Sequence, residues 1–291
     1  MIDFVEDNAL AKRERRKKRR KKIWIGIGIF FAVLLILCAA ALYQGIVNRR
    51  YVISSEKLTN TEPIKIVLLT DLHSYIFGKD QQPLIKRIAK LQPDLICLVG
   101  DIGDNVRPIE GTELLLEGIV SIAPCVYATG NHEYWGDYPS IFATFERFGV
   151  PILHNESMDI TLKGQTITLY GIDDPWYARA ADYGYFMGNW AKPEDNRFTI
   201  LLCHRPDPAP VLAEYGFDLM LSGHAHGGQV RIPFVLNGLF APDQGWYPKY
   251  AGGQYQVADT TMVVSRGLAY YPNLPRVFNP LEVVEILLKG K

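Results

Sequence analysis

Polar and apolar positions divide the chain into three regimes. Charge dominates residues 1–22, residues 23–42 (IWIGIGIFFAVLLILCAAAL) hold no charged side chain, and from residue 64 short apolar runs alternate with amphipathic stretches. The runs 64–70 (IKIVLLT), 95–99 and 125–129 are rich in apolar and β-branched residues, the pattern of strands buried on both faces. Between and after them, 83–91, 112–122 and 141–148 read as helices. This alternation predicts a parallel sheet joined by right-handed crossovers. Further on, 158–163 and 166–171 predict a hairpin turning at Gly164-Gln165, and 198–203, 217–222, 261–265 and 281–288 predict more strands. Residues 44–63 are polar and read as a linker, and two loops, 174–190 and 239–255, are rich in aromatic residues.

The apolar run changes the picture of where the chain resides. Twenty helical residues span roughly 30 Å, about one hydrocarbon core. Ten Lys or Arg lie between Lys12 and Lys22, against four acids in residues 1–22, and Arg49 and Arg50 follow the apolar run. The positive-inside rule then keeps the N-terminus cytoplasmic and sends the rest across the membrane. The expected organisation is a basic tail at 1–22, a signal-anchor helix at 23–43, a linker at 44–63 and a catalytic domain at 64–291. A cleaved signal peptide is the rival, since Cys38-Ala39-Ala40-Ala41 offers small residues to a peptidase, but the apolar run exceeds the usual signal core of about 7–15 residues. Leu37 lacks the small side chain expected before a lipid-modified cysteine. The basic run serves as a topology signal with affinity for anionic headgroups.

The zero net charge of the 291 residues hides this asymmetry: 21 basic and 27 acidic residues remain beyond Lys22, a formal charge of −6. An acidic body argues against a nucleic-acid partner, which needs clustered cations, and no feature points to a protein partner. The four cysteines suggest no disulfide framework; Cys97, Cys125 and Cys203 sit in strand-like runs as small core residues.

The chemistry collects where strands end. The predicted strands run into Thr70-Asp71-Leu72-His73, Gly100-Asp101-Ile102-Gly103-Asp104, Gly130-Asn131-His132-Glu133, His204-Arg205 and Gly223-His224-Ala225-His226. Ligands of open α/β sheets gather outside the carboxyl ends of strands, and five of the six histidines fall there. Each piece alone reads equally as a turn or a solvated histidine; the ordered set of five does not.

That ordered set resembles the signature of the calcineurin-like metallophosphoesterases: D-x-H, G-D-x-x-D, G-N-H-D/E, a lone His, then G-H-x-H. The resemblance covers about residues 64–288. It is closest to the membrane-associated bacterial phosphodiesterase branch, through GHAHGGQVRIPF (223–234), APDQG (241–245) and SRGL (265–268). The resemblance implies an α/β fold, a four-layer αββα sandwich of two mixed β-sheets flanked by helices. It also implies two divalent metal ions, Asp71, His73, Asp101 and His226 holding one and Asp101, Asn131, His204 and His224 the other, with Asp101 bridging. Mixed oxygen and nitrogen donors suit Mn, Fe or Zn. Two such cations lower the pKa of a shared water to supply hydroxide for attack on phosphorus.

His132, the motif histidine left without a metal, is the candidate general acid, oriented by Asp104. Protein phosphatases of the superfamily follow that Asp with an Arg that grips the phosphate dianion; here Asn105 stands instead. This favours a diester or pyrophosphate. Arg205 is either a substitute substrate-binding cation or a surface ion-pair partner, and Glu133 either a turn residue or a support for the site. Trp176, Tyr177, Tyr183, Tyr185, Phe186, Trp190, Trp246 and Tyr247 read as loop-base packing or as a lipid-facing surface. The expected function is a membrane-anchored phosphodiesterase or pyrophosphatase acting outside the cytoplasm on envelope or lipid-linked phosphoesters. The alternatives are a broad-specificity phosphomonoesterase and a non-catalytic anchored metal-binding protein.

Overall fold

A computed structural model of the protein describes residues 2–59, 62–175, 196–271 and 274–291, with side chains from residue 12 onward. The chain forms two compact units, Met1–Tyr43 and Gln44–Lys291. The first is one helix, α1 (Ile2–Ala41). Its apolar part exposes large side chains, among them Trp24, Phe30 and Leu35. The segment Lys12–Ala41 is long and apolar enough to cross a membrane.

The second unit is built on two mixed sheets. In chain order the strands of the first are β1 (Ile46–Ser55), β2 (Ile64–Leu69), β3 (Leu95–Val99), β4 (Cys125–Ala128) and, from the end of the chain, β13 (Leu281–Gly290). Their spatial order is β1-β13-β2-β3-β4. β2, β3 and β4 are parallel, β13 runs antiparallel to β2, and β1 runs parallel to β13. The second sheet comprises β5 (Glu156–Leu162), β6 (Gln165–Gly171), β7 (Phe198–Leu202), β8 (Leu219–Ser222), β11 (Gly253–Val257) and β12 (Thr260–Val264), in the order β11-β12-β8-β7-β6-β5. β9 (Phe240–Ala241) and β10 (Gly245–Trp246) form a separate short ribbon.

Alternating side chains divide each strand between two cores. Ile64, Ile66 and Leu68 of β2 meet Ile200 and Leu202 of β7 between the sheets. Val67 and Leu69 face the other way, onto the helices α2 (Gln82–Leu91), α3 (Glu110–Ile119) and α5 (Tyr138–Arg147). On the far side of the second sheet, Leu201, Met220 and Met262 pack beneath Ala209 and Leu212 of a short helix, Ala209–Leu212, and beneath Ala241 and Tyr250. The order helix–sheet–sheet–helix is the expected sandwich. Local chemistry agrees: α5 starts where Asp137 accepts hydrogen bonds from the Ser140 amide and hydroxyl, with Pro139 in the first turn. α3 carries Glu110 and Glu113 at its positive end.

Residues 44–63 differ from the expected linker. β1 pairs over its whole length with β13, from Ile46↔Leu281 to Ser55↔Gly290. The polar character that mimics a linker belongs to an edge strand. Arg49 and Arg50 reach Glu282 and Glu285 of β13, at 3.9 and 2.6 Å, while Ile53 points inward and is buried. An edge strand with one wet side carries charges that an interior strand cannot. The hairpin is shifted by one residue: Leu162 pairs with Gln165, so Lys163 and Gly164, both at positive φ, make the turn.

Candidate metal centre

Five parallel strands, drawn from both sheets, end at one rim. Asp71 and His73 follow β2, Asp101 and Asp104 follow β3, and Asn131 and His132 open the short helix α4 (Asn131–Trp135) after β4. His204 follows β7, and His224 and His226 follow β8. Main-chain bonds tie these ends together: the Asp71 amide donates to Gly100, the His73 amide to Asp101, and the Gly223 amide to His204. Asp71, His73, Asp101, His224 and His226 all have positive φ. Such a conformation costs a side-chain-bearing residue about 1–2 kcal/mol, and strain of this kind collects at functional sites. Space is equally tight. A Cβ on Gly100 would fall 2.2 Å from the His204 ring, and one on Gly267 2.4 Å from Asp71 Oδ2.

The side chains converge in three groups whose donor atoms lie within 4.8 Å of one another: Asp71, His73 and His226; Asp101, His204 and His224; and His73, Asp101 and His132. Asp71 and Asp101 are each split between two duties. One oxygen of each accepts a main-chain bond from another motif, Asp71 Oδ1 from the His224 amide and Asp101 Oδ1 from the His132 amide. The other oxygens, Asp71 Oδ2 and Asp101 Oδ2, are buried without a hydrogen bond, as are both ring nitrogens of His73 and Oδ1 of Asn131. Buried donors of this kind cost free energy unless something compensates them. Anionic oxygens, imidazole nitrogens and a carboxamide oxygen together suit borderline divalent cations.

The buried carboxylates dominate the charge of the site. Burial alone would depress His204, but the nearby Asp101 carboxylate outweighs it and pushes the imidazole up to about 10. The two groups approach to 3.1 Å, Nε2 to Oδ2, without hydrogen-bond geometry. His226 goes the other way: burial, with His73 and Arg276 nearby, lowers it to about 3 despite Asp71, leaving a neutral ring with a free lone pair.

His132 sits at the edge of this group. Its Nδ1 lies 3.0 Å from Asp104 Oδ1 and 2.8 Å from Asn105 Oδ1. Burial would lower its pKa, but the Asp104 hydrogen bond and the Asp101 charge raise it above the ordinary histidine value. Burial would likewise raise Asp104; the His132 hydrogen bond and the neighbouring His73 instead hold its carboxyl well below the usual carboxylate range. Arg107 steadies Asp104 by donating to it through its amide, at 3.2 Å, and its guanidinium, at 3.4 Å.

Three further residues, Glu133, Asp243 and Arg205, take defined places around these groups. Glu133 is fully buried and accepts hydrogen bonds from the amides of Asp101, Gly103 and Gly130, locking two ligand loops together. Asp243 lies 2.7 Å from His224 Nε2, on the opposite ring edge from the nitrogen that faces His204. Arg205 grips Asp174 through Nε at 2.6 Å and through a second nitrogen at 3.2 Å, and it pairs with Asp243. Two carboxylates therefore engage the guanidinium, as in the ion-pair reading of Arg205 rather than the substrate-cation reading. Of the aromatic residues singled out, Trp246 and Tyr247 are exposed, by 67% and 71%; Trp176, Tyr177, Tyr183, Tyr185, Phe186 and Trp190 lie outside the described residues.

The chain is similar to known phosphoesterases over more than half of its length. The family model for calcineurin-like phosphoesterases matches residues 64–228. The metallophosphoesterase YkuE of Bacillus subtilis is 32% identical, covering 70% of this chain and 71% of its own length. A transmembrane protein with a metallophosphoesterase domain from Bos taurus is 32% identical over 78% of this chain, which spans only 53% of that protein. Among solved structures, the calcineurin-like phosphoesterase YfkN of Bacillus subtilis aligns over 71% of this chain and 82% of its own, at 16% identity and a TM-score of 0.48. The chain belongs to the calcineurin-like phosphoesterase family.

Proposed function

We propose that the protein is a membrane-anchored, dinuclear-metal phosphoesterase that cleaves diester or pyrophosphate bonds in envelope or lipid-linked molecules. The observation that carries this reading is the cluster of buried, unpartnered donor atoms on Asp71, His73, Asp101 and Asn131 at one rim. Asp71, His73, Asp101 and His226 would hold one cation, and Asp101, Asn131, His204 and His224 would hold the other. When bound, the two cations neutralise phosphoryl oxygens and lower the pKa of water at the site. The residues of the chain do the rest. Glu133 fixes the Asp101 and Asn131 loops, and Asp243 sets the ring orientation of His224. His132 gives its proton to the departing oxygen, while Asp104 holds its ring in place and favours the protonated form.

The preference for diesters follows from the cations within reach. Asn105 replaces the Arg that grips a dianion in phosphoprotein phosphatases, Arg205 is paired with two carboxylates, and Arg107 is bound to Asp104 and to the His73 and Tyr270 carbonyls. A charge-assisted hydrogen bond is worth about 1.5–3 kcal/mol, so a monoester dianion lacking one loses about tenfold or more. The full chain with Mn should therefore show a higher kcat/KM for bis-p-nitrophenyl phosphate than for p-nitrophenyl phosphate. The reverse order would favour the phosphomonoesterase.

The charge step at Lys22-Ile23 sets the proposed topology, with the N-terminus cytoplasmic and residues 44–291 outside. Alkaline phosphatase fused after Lys291 should be active and a cytoplasmic fluorescent reporter dark. A bright cytoplasmic reporter contradicts the orientation, and a mature N-terminus near Leu42 contradicts the uncleaved anchor.

A further inference from the structure

A hollow of about 390 Å³ opens directly beside His226, within the size range of small-molecule sites. Tyr271 forms the wall it shares with the centre, its ring 5.7 Å from that of His73 and 6.5 Å from that of His226. Val230, Leu239, Phe240 and Trp246 line one part of it, and Leu274 another. Two polar side chains in this wall, Gln229 and Arg276, have partners already. The Gln229 amide donates to the carbonyls of Leu274 and Pro275, and the buried Arg276 guanidinium to those of Arg266 and Gly267. Beyond His226 and Tyr271, the surface left for a ligand is mostly apolar. Phe240, Trp246 and Leu274, which line it, are 47%, 67% and 56% exposed. A concave site lined mainly by apolar side chains with a few polar groups is the usual form of a small-molecule site.

We propose that this hollow receives the alkyl or acyl chain of an amphiphilic phosphoester whose phosphate lies at the metal centre, so that the substrate is chosen by its chain. The inference rests on the phosphoesterase reading and adds the residues that select the substrate. Continuity with His226 argues for the substrate's own chain as the occupant: a group esterified to a phosphate beside His226 enters the hollow without crossing solvent. A polar headgroup would find the hydrogen-bonding groups of Gln229 and Arg276 already engaged.

The test uses the full chain in lipid nanodiscs and a series of p-nitrophenyl alkyl phosphodiesters from methyl to hexyl, all monomeric in water. Each fully buried methylene contributes about 0.8 kcal/mol, or about fourfold. The kcat/KM should accordingly rise by about tenfold or more between the methyl and butyl esters. Leu274→Trp, which crowds the hollow, and Trp246→Ala, which removes one wall, should each flatten that slope. A flat series in the unmodified chain, with the methyl ester still hydrolysed, overturns the inference and leaves the phosphoesterase reading standing. A slope that survives both substitutions assigns the effect to the bilayer and also overturns it. Failure to hydrolyse any ester overturns the phosphoesterase reading, and the inference with it.

Discussion

His132→Ala should keep its metals and lose turnover by about 10²–10⁴-fold, the usual contribution of a positioned general acid. The expectation comes from the ring's surroundings. Nδ1 is engaged by Asp104 and Asn105, and the Asp104 hydrogen bond and Asp101 charge raise the pKa and so favour the protonated ring. The loss should depend on the leaving group. Nitrophenolate departs with little protonation, so an ester with that leaving group should suffer less than one that releases an alkoxide. Asp104→Asn should give a milder version of the same pattern, because it removes a charge and an orienting bond but leaves the imidazole. The rival is built into the geometry, since His132 also shares a cation-sized group with His73 and Asp101. Elemental analysis separates the two. Loss of a metal in His132→Ala makes the residue a ligand, and equal losses on both esters make it a positioning residue.

Much of the first sheet was legible because its strands are buried on both faces and so read as unbroken apolar runs. β2 and β3 lie within one residue of their expected bounds. The site was legible for a related reason: a strand that runs straight from IKIVLL into Thr70-Asp71-Leu72-His73 has no solvated loop in which to spend its polar residues. β1 was not legible. Its partner lies 235 residues away in sequence, and its Arg49 and Arg50 make sense only against Glu282 and Glu285.

Supporting residues were harder to read than candidate ligands. Glu133 looked like either a turn residue or a support, because the three amides that it receives come from two separate loops. Asp243 reads in the sequence only as part of a resembling segment, because a carboxylate between a proline and a glutamine carries no local sign that it faces His224. Arg205 shows the limit most plainly. Its place after His204 suggested a cation for phosphate, but Asp174 and Asp243 approach it from elsewhere in the chain and engage it.

The central claim is that two cations share Asp101, and removing that bridge tests it most directly. Asp101 is buried, its Oδ2 has no hydrogen bond, and its charge is what pushes His204 up. Asp101→Asn keeps the size of the side chain and its ability to accept the His132 amide, but removes the charge that two dications must share. His226→Ala, by contrast, removes a side chain that belongs to one group only. Metal content per chain should be measured by elemental analysis beside the rate of diester hydrolysis in the same preparations. The account predicts two metals in the unmodified chain, weakening of chiefly one in His226→Ala, and loss of most bound metal and of turnover in Asp101→Asn. An Asp101→Asn protein that holds two metals and turns over at a near-normal rate would contradict it.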